Sequence, residues 1–193
     1  LAIAGLAGYG DCPEADDWIQ RGNREIELCA RYYSDDGISP EGEAYAGYVL
    51  EYLLEYYAAA VPLIQVSIQP ESWIRSFPGT FLYHTVARRA WKQDDLMLAF
   101  GDSPRHFRHG PGYLFARIAE LYDDPVAQEL AAQFLAGEFD GDSSAAWLYA
   151  LWFDSDNPRQ VWSGLPVART FSNWGLHLAR DSWGGDETVL GFK

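Results

Sequence analysis

Tyr45, Tyr48, Tyr52 and Tyr56 follow one another at intervals of three and four residues behind the stretch SDDGISPEGE, residues 34–43, a spacing that puts them along one face of a helix. Leucine would fill a core there with no hydroxyl to satisfy. A phenol can take and return a proton only where neighbours lower its pKa from a reference value of about 10. The plain alternative is packing, with the rings of Tyr45, Tyr48, Tyr52, Tyr56 and Tyr57 on the apolar side and their hydroxyls at the surface. The same stretch carries Asp35, Asp36, Glu41 and Glu43, carboxylates of the kind a glycoside hydrolase pairs as acid and base, although no second, distant carboxylate motif accompanies them. Glu41 also suits the positive end of a helix.

A second group is cationic. Arg88, Arg89, Lys92, Arg105 and Arg108 fall in one short segment with His84, His106 and His109, and SPRHFRHGPGY reads as a loop entering a helix that would suit a carboxylate or sulfate ligand. The plain alternative is a solvated helix face followed by a polar loop. His106 and His109 have a spacing compatible with a metal, but no Cys or second acidic cluster lies near them in sequence, so no metal ligands are assigned. Asp102 in FGDSP serves equally well as a turn or cap acceptor. His177 alternates with Leu176 and Leu178 and reads as an outward strand residue.

The chain that must position these residues has 193 residues, 48% hydrophobic and 16% aromatic, enough for one good-sized core or for a domain and part of another. Its net charge of -14 argues against nucleic acid and anionic membranes as partners. No run of about 18 apolar residues is present, so no spanning helix is expected. Cys12 and Cys29 are too few for a disulfide framework or a metal quartet and read as buried thiols in or beside a helix.

Helical periodicity holds for most of the chain. LAIAGLAGYGD reads as the last turns of an Ala-rich helix ending at Gly8 and Gly10. A helix from Asp11 and Pro13 to about Tyr33 should turn Ile19, Ile26, Leu28 and Cys29 inward. Ser39 as cap, Pro40 at the first helical position and Glu41 in the first turn should begin the tyrosine helix, which runs to about Ala60 before Pro62. Further helices are expected over about 71–77, 80–99, 111–122, 125–136 and 143–153, packed as antiparallel pairs. From about Gly164 the pattern alternates around Gly184-Gly185 as a β-hairpin does. Both ends fall inside elements, so the chain reads as a piece of a longer protein.

Four stretches, in this order, resemble the heparinase II/III-like polysaccharide lyases, which include alginate and oligoalginate lyases: DDGISPEGEAYAGY at 35–48, LAFGDS at 98–103, the helix pairs around them, and FSNWGLHLARDSWGGDETVLGFK at 171–193. The resemblance implies a mainly α chain, an incomplete α/α toroid of antiparallel helix pairs over residues 1–160, followed over 161–193 by the first strands of an antiparallel β-sandwich. It implies cleavage of uronic-acid-containing glycans by β-elimination, with Tyr45 as catalytic acid and base. The substrate contacts it implies or leaves room for are Glu41, Tyr48, Arg88, Arg89, Asp102, Arg105, His106, Arg108 and His109.

In this family an Asn or His on an earlier helix neutralises the substrate carboxylate and a further His comes from the sandwich. By the resemblance the first precedes Leu1 and the second follows Lys193, so the fragment alone is expected to be inactive. The expected partner is an anionic polysaccharide or oligosaccharide. No cofactor is expected within the chain, with room left for a structural metal in the missing sandwich region. Export to the periplasm or beyond is the family's habit, with a cytoplasmic place as the alternative. Two other classes stay open: an α/α-toroid glycoside hydrolase, and a non-catalytic carbohydrate-binding or scaffold domain.

Overall fold

A computed structural model of the chain describes residues 1–86, 97–105, 111–137 and 146–193. It is mainly helical, with a small antiparallel sheet at its C-terminal end. The helices are α1 (Ala2–Ala7), α2 (Ala15–Ala30), α3 (Glu43–Ala60), α4 (Glu71–His84), α5 (Pro111–Tyr122), α6 (Pro125–Leu135) and α7 (Ala146–Trp152). The strands are β1 (Ala168–Phe171), β2 (Leu176–Arg180) and β3 (Val189–Phe192). No helix among the described residues is long and apolar enough to cross a membrane.

Helix α1 packs closely against α2, where a Cβ on Gly22 would sit 2.9 Å from the Ala2 nitrogen and one on Gly5 would sit 2.7 Å from Ile19. The expected inward face of α2 holds for Ile19, which is buried, and partly for Ile26, but Leu28 and Cys29 face solvent. At about 100° per residue Leu28 lies roughly opposite Ile19, so its apolar character is not part of the stripe. Cys12 is half-buried, with its thiol 3.2 Å from a Glu14 carboxylate oxygen, and neither cysteine is the buried thiol expected.

Helix α3 buries a long apolar stripe, with Ala46, Leu50, Leu54 and Ala60 fully buried. Tyr56 and Tyr57 belong to this stripe, against the expectation that their hydroxyls reach the surface. The Tyr56 hydroxyl donates to the Asn23 Oδ1 at 2.6 Å, and the Tyr57 hydroxyl donates to the Gln69 carbonyl at 3.0 Å while accepting from the Gln69 N–H at 2.9 Å. They are core residues whose polar ends tie α3 to α2 and to the segment before α4.

Two helices were expected on either side of Pro78, but α4 runs straight through it. A proline inside a helix costs about 3 kcal/mol. That cost is offset by the helix's other residues, because Trp73, Ile74, Phe77, Phe81 and Leu82 are all fully buried and each such side chain contributes about 1.5–3 kcal/mol. Helix α4 ends at His84, where Thr85 is extended and bridges Met97, and residues 87–96 of the helix expected over 80–99 lie outside the described residues. Helices α5 and α6 form a hairpin around Asp123 and Asp124, with Asp124 capping α6 through the N–H groups of Val126 and Ala127 at 2.8 and 3.0 Å. Phe77, Phe81, Phe115 and Phe134 cluster where α4, α5 and α6 meet, with the Phe81 and Phe115 centroids 4.9 Å apart.

The sheet has the order β1-β2-β3 with both pairs antiparallel, Phe171 opposite Leu176 and Arg180 opposite Val189. Leu176, Leu178 and Arg180 point to the core while His177 lies on the other face, its Nδ1 2.9 Å from the Thr170 hydroxyl. Arg180 fastens the sheet to the end of α4. Its guanidinium donates to the carbonyls of Leu82, Tyr83 and Thr85 at 3.0 to 3.2 Å, pairs with Glu187 at 3.0 Å and stacks 3.8 Å above the Trp183 ring centroid.

Candidate functional site

The sheet, α4 and the segment 97–105 close around the N-terminus of α3. Gly42 precedes that helix at a φ of 94°, and a Cβ there would collide with the Phe100 carbonyl and the Ser103 hydroxyl. The Asp102 N–H donates to the Glu41 carbonyl at 3.1 Å. Gly101, at a φ of 65°, passes so near Glu41 that a Cβ would meet its carbonyl at 3.0 Å. The Glu-Gly of residues 41–42 and the Gly-Asp-Ser of 101–103 therefore interlock backbone against backbone.

This contact displaces the expected start of α3. Ser39 and Pro40 lie outside the helix, and its first turn is capped from a distance by the Ser103 hydroxyl, which accepts from the Ala44 N–H at 2.8 Å. The expected cap pattern is local, whereas the docked loop supplies a buried acceptor and fixes Gly42 in a conformation that a helix cannot continue through. Changing Ser103 to Ala should therefore lower stability by about 1 kcal/mol, the usual cost of a lost cap. The shift in the urea midpoint measures it, and an unchanged midpoint would mean that the cap is replaced by solvent.

Tyr45, Tyr48 and Tyr52 form a row on the outer face of α3, with 48%, 42% and 50% of their surfaces exposed. Tyr48 and Tyr52 meet edge to face with centroids 5.0 Å apart, and a hydrogen bond between them pushes the Tyr52 phenol upward. Glu41 and Asp102 are exposed beside the start of this row, and Arg105 is exposed at the end of the docked loop. Arg88, Arg89, His106, Arg108 and His109 lie outside the described residues, so the anion-binding wall expected there has no structural account. Among the described residues no group of three or more His, Cys, Asp or Glu side chains could hold a metal ion.

Beneath the Glu-Gly turn lies a void of about 30 Å3. Its walls include Glu43, His84, Phe100, Trp174, Leu176 and Lys193, drawn from each of the three stretches singled out in the sequence and from α4. Glu43 is 2% exposed, and neither of its carboxyl oxygens has a hydrogen-bond partner among the described residues. Burial, helped by the charge of Asp36, pushes its carboxyl up to about 8. His84 is equally buried. Burial holds its imidazole down to about 4, against the Thr80 carbonyl that accepts its Nδ1–H at 2.8 Å. The 3.9 Å between His84 Nδ1 and Glu43 Oε1 is too long for a hydrogen bond. At neutral pH the two are an uncharged acid beside an uncharged imidazole, and not an ion pair.

Glu43 was legible only as one of several carboxylates. The missed signal is its position, since it stands three, four and seven residues before Ala46, Gly47 and Leu50, on the stripe that α3 buries.

These two groups act oppositely on stability. Glu43 keeps its proton in the folded state to about 8 while an unfolded glutamate loses it near 4.5, so stability falls as pH rises through that window. His84 stays neutral when folded down to about 4 while an unfolded histidine charges below 6.5, so stability is lost as pH falls. Above about pH 6.5 only Glu43 of the pair acts, and between there and about pH 8 the protein should lose roughly 2 kcal/mol. Glu43→Gln should abolish that decline in urea midpoints; an equal decline in both proteins would assign it to other groups.

A larger open groove of about 970 Å3 runs beside α2, with Tyr33, Asp35, Tyr57 and Arg75 in its walls. Four of its polar side chains pair with one another, Asp35 with Ser72 and Arg75 with Glu71. Compared with known proteins, the sequence matches no family model and no curated protein.

Proposed function

We propose that the chain is part of a polysaccharide lyase that cleaves uronic-acid-containing glycans by β-elimination, with Tyr45 as the acid and base. The observation that carries this reading is convergence. The stretches at 35–48, 98–103 and 171–193, chosen for their order along the chain, meet at the N-terminus of α3 directly beside the exposed row of Tyr45, Tyr48 and Tyr52. In this reading the helical hairpins are an arc of an α/α toroid and the sheet is the beginning of a sandwich, with the substrate crossing the row where the two meet.

These residues would supply the proton carrier, while lowering the phenol's pKa and neutralising the uronate carboxylate fall to other groups. Elimination removes the proton beside the uronate carboxylate: a tyrosinate takes it, and the phenol so formed returns it to the leaving oxygen as the bond to that oxygen breaks and the carbon-carbon double bond forms. Exposure leaves the Tyr45 hydroxyl open to a polymer that could not enter a closed cavity. Tyr48, one turn along, offers a second contact on the same face, and Glu41 and Asp102 flank the start of the row.

The hydrolase alternative would draw its acid from the same turn, but Glu43, whose carboxyl is raised, is sealed at 2% exposure and cannot reach an oxygen held between two sugar rings. Formation of an unsaturated uronate by the full-length protein tests the lyase reading. Binding of the same glycans with no cleavage would instead support the carbohydrate-binding alternative.

A further inference from the structure

Glu43 stands behind the dock that fixes the start of α3, and the closed dock accommodates only its neutral form. Both carboxyl oxygens are sealed from solvent, and neither has a hydrogen-bond partner among the described residues. Leu98, Phe100 and Gly101 of the docked loop form one wall of the void beside it. That void, about 30 Å3, holds roughly two waters at about 10–15 Å3 each. So few waters cannot hydrate a carboxylate, and an ionised Glu43 under the closed loop is a buried, unpaired charge.

The groups that face Glu43 do not relieve this charge. Asp36, in the turn before α3, opposes it. His84 on α4 is neutral and gives its Nδ1–H to the Thr80 carbonyl. Arg169 on β1 donates to the Asp36 carbonyl at 3.1 Å, and Arg180 on β2 is engaged with Glu187 and with the carbonyls at the end of α4. Lys193, after β3, is exposed at the edge of the void, its ammonium 4.6 Å from the Trp174 ring centroid. Glu41 on the turn, and Asp102 and Arg105 on the loop, are exposed.

We propose that Glu43 is a proton-held latch on this dock: protonated, it lets residues 98–103 sit on the Glu-Gly turn, and on losing its proton it drives them off, so that water reaches the carboxylate. The tip of the loop can yield without unfolding the core. It is held to the turn by the Asp102 N–H on the Glu41 carbonyl at 3.1 Å and by the Ala44 N–H on the Ser103 hydroxyl at 2.8 Å, and local openings of this kind cost less than global unfolding. Under the closed loop Glu43 keeps its proton to about 8, whereas in water a glutamate loses it near 4.5. The closed form is therefore favoured at low pH and lost as pH rises through that window, the opening constant growing by up to about tenfold per pH unit. Opening that also bares His84 is opposed below 6.5, where the freed imidazole would charge, so the rise emerges above that pH. Release separates Asp102 from Glu41 at the start of the Tyr45 row, which ties the assembly of this site to pH whatever reaction the row performs.

The test is amide hydrogen exchange of the full-length protein, followed by mass spectrometry of peptides spanning residues 97–105 and helix α5. After correction for base catalysis of exchange, protection over 97–105 should fall about tenfold between about pH 6.5 and about pH 8, while α5 stays the more protected. Glu43→Gln should remove the fall. Ser103→Ala should lower protection of the loop about fivefold at each pH, the worth of one helix cap, and keep the fall. Protection over 97–105 equal to that of α5 at every pH would mean that the loop opens only when the whole protein unfolds, and would overturn the latch. An equal fall in Glu43→Gln, or no fall in the wild type or in Ser103→Ala, would overturn it as well.

Discussion

Full-length protein carrying Tyr45→Phe should form unsaturated uronate at least a hundredfold more slowly than the wild type, since a positioned acid or base contributes roughly 10²–10⁴ in rate. The loss should fall on kcat, because phenylalanine keeps the ring and removes only the proton carrier. Stability should change little. Tyr45 is 48% exposed on the outer face of α3, and substitutions at such positions usually stay within about 0.5 kcal/mol. Tyr48→Phe provides the contrast, because a residue that only touches substrate should raise KM and leave most of kcat. Undiminished turnover in Tyr45→Phe, with the melting temperature unchanged, would take Tyr45 out of the mechanism.

The second large effect belongs to Arg180, which joins the sheet to α4. Arg180→Ala removes the donor to three carbonyls at the end of that helix and leaves Glu187, 7% exposed, without its cation. Breaking a buried ion pair from one side typically costs about 3–5 kcal/mol, which in a chain of this size lowers the melting temperature by about 10 °C. The double variant Arg180→Met with Glu187→Leu should recover part of the loss, because apolar replacement of both partners leaves no buried charge unpaired. A single variant that melted with the wild type would mean that the sheet is held to α4 by the packing of Tyr83, Phe171 and Leu178 alone.

Local signals in the sequence carried most of the fold. Pro111, and Asp124 followed by Pro125, mark helix starts that the structure places where expected. Alternation around Gly184 and Gly185 marks the β2–β3 hairpin. What escaped the sequence was set by contacts between distant residues. The cap of α3 comes from Ser103, fifty-nine residues away, so no local pattern announces it. Pro78 reads as a break, yet the burial of its neighbours outweighs it. The hydroxyls of Tyr56 and Tyr57 find partners on α2 and before α4, which separates them from the exposed Tyr45, Tyr48 and Tyr52 on the same helix.

The site divides in the same way. Its stretches were legible only through their resemblance, in order, to the polysaccharide lyases, whereas the placing of Glu43 beside His84 depends on how α3 and α4 pack. The most direct test of the central claim is to treat a panel of uronate polymers with the full-length protein and follow the ultraviolet absorbance of the new double bond together with the release of reducing ends. The lyase account predicts that the two rise in equal numbers. Reducing ends appearing without the absorbance would mean hydrolysis, and would contradict it.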